Sequence, residues 1–256
     1  MAVRFKTEAG VATITLDRPE RMNALTEEMR LQLADYLQRC EKDASVKVVV
    51  LRSTGSAFCS GADVAGLNGK GIPEGRHRLR VAHQIVTGIA YLEKPVIAMV
   101  DGIAAGIGWS LCLAADLIIA SPQARFGQVF RKVGLAPDGG SAWLLSRYVG
   151  MLRAKDLTMT ARIIDADEAL QLGLVTEVVP QAELEARVNA LASELAGAAH
   201  LALGMTKQLF HAASGTDLKQ FLEIESHVQN QLLQTEDHAE GVAAFIEKRK
   251  PCFNGR

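Results

Sequence analysis

The chain has 256 residues, 48% hydrophobic and 22% charged, with a formal net charge of −1. That is enough chain for one large domain with a well-buried core, and it carries no bulk field to draw it to nucleic acid or to an anionic membrane. The four cysteines, Cys40, Cys59, Cys112 and Cys252, are far apart and unpaired in spacing, which argues against a disulfide framework or a metal site and for a reducing cytoplasm.

In chain order, the opening MAVRFKTEAG lacks an apolar signal segment. Residues 3 to 16, VRFKTEAGVATITL, alternate with a period near two around Gly10 and read as a β-hairpin. LTEEMRLQLADYLQRCEKD reads as an amphipathic helix, with Leu25, Met29, Leu33 and Leu37 at spacing four and Thr26 as N-cap. KVVVLR is the continuous apolar run of a strand buried on both faces. The turn FCSGADVAGL follows it. Residues 68 to 75, NGKGIPEG, read as a mobile loop, and a helix is expected from Arg76 to Leu92. After Pro95 comes the strand VIAMV. Gly-rich DGIAAGIG then opens a helix ending near Ala115, and LIIA is a third buried strand.

The most apolar stretch, PVIAMVDGIAAGIGWSLCLAADLIIA, is interrupted by Asp101 and Asp116, which leave 14 uncharged residues between them. That falls short of the ~18 to 20 needed to cross a bilayer, so it reads as core. Strands alternating with helices argue for parallel pairing through βαβ units. After about Ala182 no strand signal remains. The expectation is an α/β core over residues 1–182 and a helical part over 183–256. Leu209, Phe210, Phe221, Leu222, Ile224, Leu232 and Leu233 in that part suit a subunit interface or packing on their own core equally well.

Two turns carry the chemistry. CSGAD and DGIAAGIG both leave a buried strand, and the second also starts a helix, where unpaired N–H groups and the positive end of the dipole are exposed. Parallel strands can bring both turns to one end of a sheet, where ligands of α/β proteins bind. A phosphate is a poor fit, since DGIAAGIG is not GxGxxG and no GK[ST] follows. The other fit is a carbonyl oxygen that gains negative charge during reaction. Losing one donor from such an oxyanion hole costs about 2.7 to 4 kcal/mol of barrier. Taken singly, each turn is also what any tight connection of small residues looks like.

ITLDRPERMNAL, AFCSGADV, KPVIAMVDGIAAGIG, ADLIIASPQARFG, VGLAPDGGSAWLL, ALQLGLVTEVVP and EGVAAFIEKRKPCF occur in this order. Together they resemble the enoyl-CoA hydratase/isomerase (crotonase) family over nearly the whole chain. The resemblance implies an α/β fold, a crotonase-like spiral of ββα units followed by a C-terminal helical trimerisation region, assembled as a homotrimer or a dimer of trimers. It implies an acyl-CoA substrate, with coenzyme A as part of that substrate and no separate cofactor or metal. It matches Ala62 and Ile107 to the two backbone donors that hold the thioester oxygen. It sets Arg21, Ala24, Ser60, Gly61, Asp63 and Val64 along the CoA path, and lets Phe245 and Lys248 reach a neighbouring subunit's ligand. Arg18, Arg21, Lys248, Arg249 and Lys250 could meet the CoA phosphates.

This chain departs from the hydratases of the family. Their two glutamates fall at Ser110 and Phe130 here, in a pocket that Gly106 and Pro137 help to line. A hydroxyl with a pKa far above 7 cannot replace a carboxylate base, and a phenyl ring cannot act as one. One acid remains, Asp138 in GLAPDGG. Without the family it also reads as a turn or N-cap aspartate. The stretch KVGLAPDGGSAWLLSRYVG is similar to ring-modifying isomerases of phenylacetate breakdown. One carboxylate suffices to move a double bond, so Asp138 is expected to be the acid/base of an enoyl-CoA isomerase.

Alternatives stay open beside it. The 4-chlorobenzoyl-CoA dehalogenase branch has a histidine matching His83 and an aspartate nucleophile matching Asp138, but tryptophans where Ala82 and Phe130 stand. A residual hydratase and a non-catalytic acyl-CoA binder also remain. GWSLC is one glycine short of a serine-hydrolase elbow, and no HGGG-like segment accompanies it.

Overall fold

A computed structural model describes residues 2–66 and 71–256. β1 (Val3–Glu8) and β2 (Val11–Leu16) form the expected antiparallel hairpin. Ala9 and Gly10 both have positive φ in its turn, which matches the strand twist. α1 (Glu27–Lys42) starts where Thr26 Oγ1 accepts the Met29 N–H at 3.2 Å. Leu25, Met29, Leu33 and Leu37 are all buried.

Three successive units then repeat one plan. β3 (Val48–Ser53), β4 (Ala57–Cys59) and α2 (Ile72–Ala90) form the first. β5 (Val96–Val100), β6 (Ile103–Ala105) and α3 (Ile107–Ala114) form the second. β7 (Leu117–Ala120), β8 (Arg125–Gly127) and α4 (Ser141–Thr160) form the third. In each, the first strand enters one sheet and the second enters another. β9 (Ile164–Asp165), α5 (Ala166–Gln171) and β10 (Glu177–Val178) complete them. The strand orders are β1-β2-β3-β5-β7-β10 and β4-β6-β8-β9. Pairing is parallel along β2-β3-β5-β7-β10 and along β4-β6-β8. The chain therefore advances one strand per unit in both sheets, the spiral of ββα units that the resemblance implies.

β3 reads as an unbroken apolar run because its two faces feed different cores. Val49 and Leu51 join the cluster under α1, α2 and α3. Val48 and Val50 join Ile97, Met99, Leu184, Val188 and Ala192 on the other side. The last three belong to α6 (Gln181–Ala196), so the dividing line expected at 182/183 falls in the first turn of a helix that covers the large sheet.

Beyond it lie α7 (His200–Ala213), α8 (Leu218–Leu232) and α9 (Glu236–Glu247). Lys207 anchors α7, donating to Asp116 Oδ2 and to Ile89 O, both at 2.8 Å. Asp116 Oδ2 also accepts the Val96 N–H at 2.7 Å. α8 has no buried residue. Phe210, Leu222 and Leu233 are exposed in the single chain, so they do not pack on their own core.

Two expectations need correction. α2 starts at Ile72 rather than Arg76, with Pro73 in its first turn, a position where proline costs nothing because that N–H has no intrahelical acceptor. Of the loop expected over 68–75, residues 67–70 lie outside the described residues and 72–75 are helical. DGIAAGIG opens α3 at Ile107 as expected, with the short strand β6 ahead of it in the same stretch. Among the described residues, no helix is long and apolar enough to cross a membrane.

Candidate active site

The first turn is built by Leu25. Its N–H donates to Gly61 O at 2.8 Å, and its carbonyl accepts the Asp63 N–H at 3.0 Å, giving one parallel bridge between Leu25 and Ala62. In such a bridge the groups flanking Ala62 face Leu25, so the Ala62 N–H faces away. Among the described residues it has no acceptor. Gly61, at φ 115°, makes the reversal possible.

The second turn ends at Gly106, with φ 53° and ψ −127°. Its own N–H is taken by Gly127 O at 2.9 Å. Ile107 is the first residue of α3, so its N–H has no intrahelical acceptor, and none exists elsewhere among the described residues. β4 and β6 pair in parallel and carry both turns to the same end. The turns touch: a Cβ on Gly61 would lie 3.2 Å from Ala105 O, and one on Gly106 would lie 3.9 Å from Gly61 Cα. Among the described residues, two backbone donors without acceptors thus sit on adjoining turns.

The Asp138 loop packs beside the second turn. It follows a 3-10 turn at Phe130–Val133. A Cβ on Gly139 would lie 2.9 Å from Ser110 Cβ and 3.4 Å from Ile107 Cγ1, so this loop rests on the first turn of α3. The Asp138 carbonyl accepts the Ser110 hydroxyl at 3.2 Å and the Ser141 hydroxyl at 3.0 Å. The N-cap of α4 is Gly140, so the Asp138 carboxylate is not spent on capping. Its Oδ1 is buried with no hydrogen-bond partner. Burial raises this carboxyl above the usual aspartate range, against the opposing charges of Arg78, Arg30 and His83.

The two hydratase-glutamate positions hold groups that do no proton chemistry. Ser110 is fully buried and its hydroxyl is bonded to Gly106 O and Asp138 O, so it fixes the loop to the helix. It lies inside α3 rather than at its start, which removes the serine-elbow reading. Nearby Cys59 is buried too, its thiol pushed up to about 12, so it offers no thiolate. Phe130 is buried against the glycine turn, its ring edge 3.6 Å from where a Gly106 Cβ would stand. Pro137 is half-buried beside Asp138. His83 is exposed and makes no hydrogen bond to Asp138 among the described residues.

On the segments expected to line the CoA path, Arg18 Nη1 donates to Ala24 O at 3.1 Å and to Asp63 Oδ2 at 2.7 Å, tying the 18–24 loop to the Ala62 turn. Hydrogen bonding to Arg18 holds the Asp63 carboxyl below its usual range. Arg21 and Val64 are exposed, and Ala24 and Ser60 half-buried, on these same two segments. Arg249, expected to face phosphate, instead pairs with Glu240 and Glu247. Phe245 and Lys248 are exposed on and just after α9. Phe245 lines a groove with Leu201, Leu232 and Phe253, away from the Ala62 turn. Among the described residues no cluster of three or more His, Cys, Asp or Glu could hold a metal.

Two residues of the site escaped the sequence reading. Asn23 is fully buried at φ 54°. Its Oδ1 accepts the Arg18 N–H at 2.8 Å, and its Nδ2 donates to Thr54 O at 2.9 Å and Ala57 O at 2.7 Å. It clamps the loop before α1 to the segment that leads into the Ala62 turn. Arg30 is buried and donates to Leu25 O at 3.1 Å. Its signal was a charge three and seven residues before Leu33 and Leu37, on the apolar face of α1.

The description "enoyl-CoA hydratase/isomerase" belongs to the family model that matches residues 6–256. A Rhodobacter capsulatus protein named "probable enoyl-CoA hydratase" is 42% identical, over 99% of this chain and 98% of its own. The Escherichia coli 1,2-epoxyphenylacetyl-CoA isomerase is 37% identical over 97% of both. A solved Bacillus anthracis enoyl-CoA hydratase superposes with a TM-score of 0.96 at 32% identity, covering 100% of both chains. With the ββα spiral and two free amides on touching turns, these likenesses converge: the chain belongs to the enoyl-CoA hydratase/isomerase family.

Proposed function

We propose that this family member is an enoyl-CoA isomerase. Asp138 takes a proton from C2 of a 3-enoyl-CoA and returns one at C4, leaving the 2-enoyl-CoA. The Ala62 and Ile107 N–H groups stabilise the negative charge that gathers on the thioester oxygen between the two transfers. The observation that carries the reading is the carboxylate of half-buried Asp138, its Oδ1 buried and unpartnered, in a loop that packs on the first turn of α3 beside Ile107. A carboxyl whose pKa is raised by burial suits a group that must both accept and give a proton. Coenzyme A enters as part of the substrate, along the Arg21–Ala24 and Ser60–Val64 segments. The exposed apolar residues of α7 and α8 suit an oligomerisation region and a homotrimeric assembly.

The test is Asp138→Asn with conversion of 3-enoyl-CoA to 2-enoyl-CoA followed by absorbance. Turnover should fall by about 10² or more, and retained turnover would end the reading. A hydratase is favoured by the names of the Rhodobacter capsulatus relative and of the Bacillus anthracis structure. Hydration of 2-enoyl-CoA that survives Asp138→Asn would establish that reading instead. The His83/Asp138 dehalogenase reading has less support, because His83 is exposed and unbonded to Asp138.

A further inference from the structure

α7 closes the end of another helix. α2 stops at Tyr91, at φ −103° and ψ 1°, with no left-handed residue to cap its last carbonyls. Among the described residues no backbone N–H reaches the carbonyls of Ile89, Ala90 or Tyr91, the orphans that a helix end leaves. α7 supplies a side-chain donor to each. Lys207 Nζ lies 2.8 Å from Ile89 O, His211 Nε2 2.6 Å from Ala90 O, and Gln208 Nε2 3.2 Å from Tyr91 O. A carbonyl only accepts, so His211 carries a proton on Nε2. Its ring rests against that of Tyr91, with centroids 4.4 Å apart.

These bonds fix a coordinate that packing leaves loose. Val81, Ala82, Ile85 and Ile89 hold α2 sideways by burial, which is non-directional and resists a slide along the helix axis only weakly. The start of α2 has no side-chain cap, so its axial register is set at the α7 end. One turn before Ala90 is Val86, and a Cβ on Gly140 would lie 3.8 Å from Val86 Cγ1. Gly140 is the N-cap of α4, two residues after Asp138, and the Ser141 N–H bonds back to Asp138 O at 3.2 Å. A line of contacts therefore runs from α7, through the end of α2, to the loop that carries Asp138.

We propose that His211 is a positioning residue for Asp138, acting through the end of α2. It makes the shortest of the three capping bonds, whereas Lys207 also pairs with Asp116. The proposal rests on the isomerase reading above for its kinetic readout, but its first readout needs no turnover. His211→Phe keeps a ring against Tyr91 and removes only the N–H. His211→Gln keeps an N–H that reaches equally far from the backbone. Hydrogen exchange followed by mass spectrometry should show the Ser141 and Leu144 amides opening about tenfold more often in His211→Phe and close to the parent in His211→Gln.

With 3-enoyl-CoA, kcat and kcat/KM should both fall about tenfold in His211→Phe, because a displacement of about 1 Å at the reacting group can cost more than that. His211→Gln should recover them to within about twofold. Val86→Ala cuts the same route at its other end, so the double variant should lose little more than either single one. Parent-like exchange in His211→Phe, equal kinetic losses in the Phe and Gln variants, or additive losses with Val86→Ala would each overturn the inference and leave the isomerase reading standing. A parent that never isomerises 3-enoyl-CoA, with exchange coupled as expected, would overturn the isomerase reading and leave the hold of His211 on the Asp138 loop in place.

Discussion

Replacing Ile107 with proline removes one N–H and little else. The position is the first of α3, where proline fits the helix, and the N–H it deletes has no acceptor in the protein among the described residues. Gly106 precedes it at ψ −127°, outside the helical region that proline disfavours in its predecessor. The lost side-chain volume is about one methyl group at a site only 3% exposed, a cost of roughly 1 kcal/mol. In a chain of this size that lowers Tm by about 2 to 4 °C. The catalytic loss should be far larger, because one oxyanion donor is worth about 2.7 to 4 kcal/mol, or 10²- to 10³-fold in kcat. Thermal melts and steady-state kinetics on 3-enoyl-CoA separate the two effects. A variant that melts within a few degrees of the parent yet keeps kcat within about threefold would show that the Ile107 amide plays no part in catalysis.

Asp138→Asn should raise Tm at pH 7, since the folded state holds this carboxyl above its unfolded pKa and so favours its neutral form. With a raised pKa, the penalty on the charged form is absent below the unfolded value near 4 and grows as pH rises through the folded one. The gain should therefore vanish in melts at acidic pH, and an equal gain there would contradict it. Asn23→Ala strips three buried hydrogen bonds and should cost about 2 to 4 kcal/mol in urea unfolding. It should also lower kcat, because the Ala62 turn loses its clamp. Lys207→Met removes the buried ammonium that Asp116, with its side chain 29% exposed, pairs with, and should cost about 1 to 3 kcal/mol. Adding Asp116→Asn should recover part of that loss, and strictly additive losses would argue against the pairing.

Legibility in the sequence followed the length of each signal. The β1–β2 hairpin and α1 announced themselves by period and cap, and β3 by a run that proves to face two cores. β4, β6 and β8 have three residues each, too few to show a period, and they exist because neighbouring units align them. Pro73 looked like a loop marker because proline breaks helix interiors, yet it opens α2. Ala62 and Ile107 could be located from turn chemistry and resemblance together, and Asp138 from being the one acid among small residues. Asn23 was not legible, since its role depends on the Thr54 and Ala57 carbonyls of a distant segment, whereas Arg30 left a signal that went unread, a charge on the apolar face of α1. Arg249 was read as a phosphate partner because its acids, Glu240 and Glu247, meet it only once α9 folds.

The most direct measurement is a crystal structure with a saturated acyl-CoA bound. The thioester oxygen should lie about 2.7 to 3.1 Å from both the Ala62 and Ile107 nitrogens, with the Asp138 carboxylate facing C2. A thioester seated elsewhere, or an Asp138 carboxylate turned away from C2, would contradict the account.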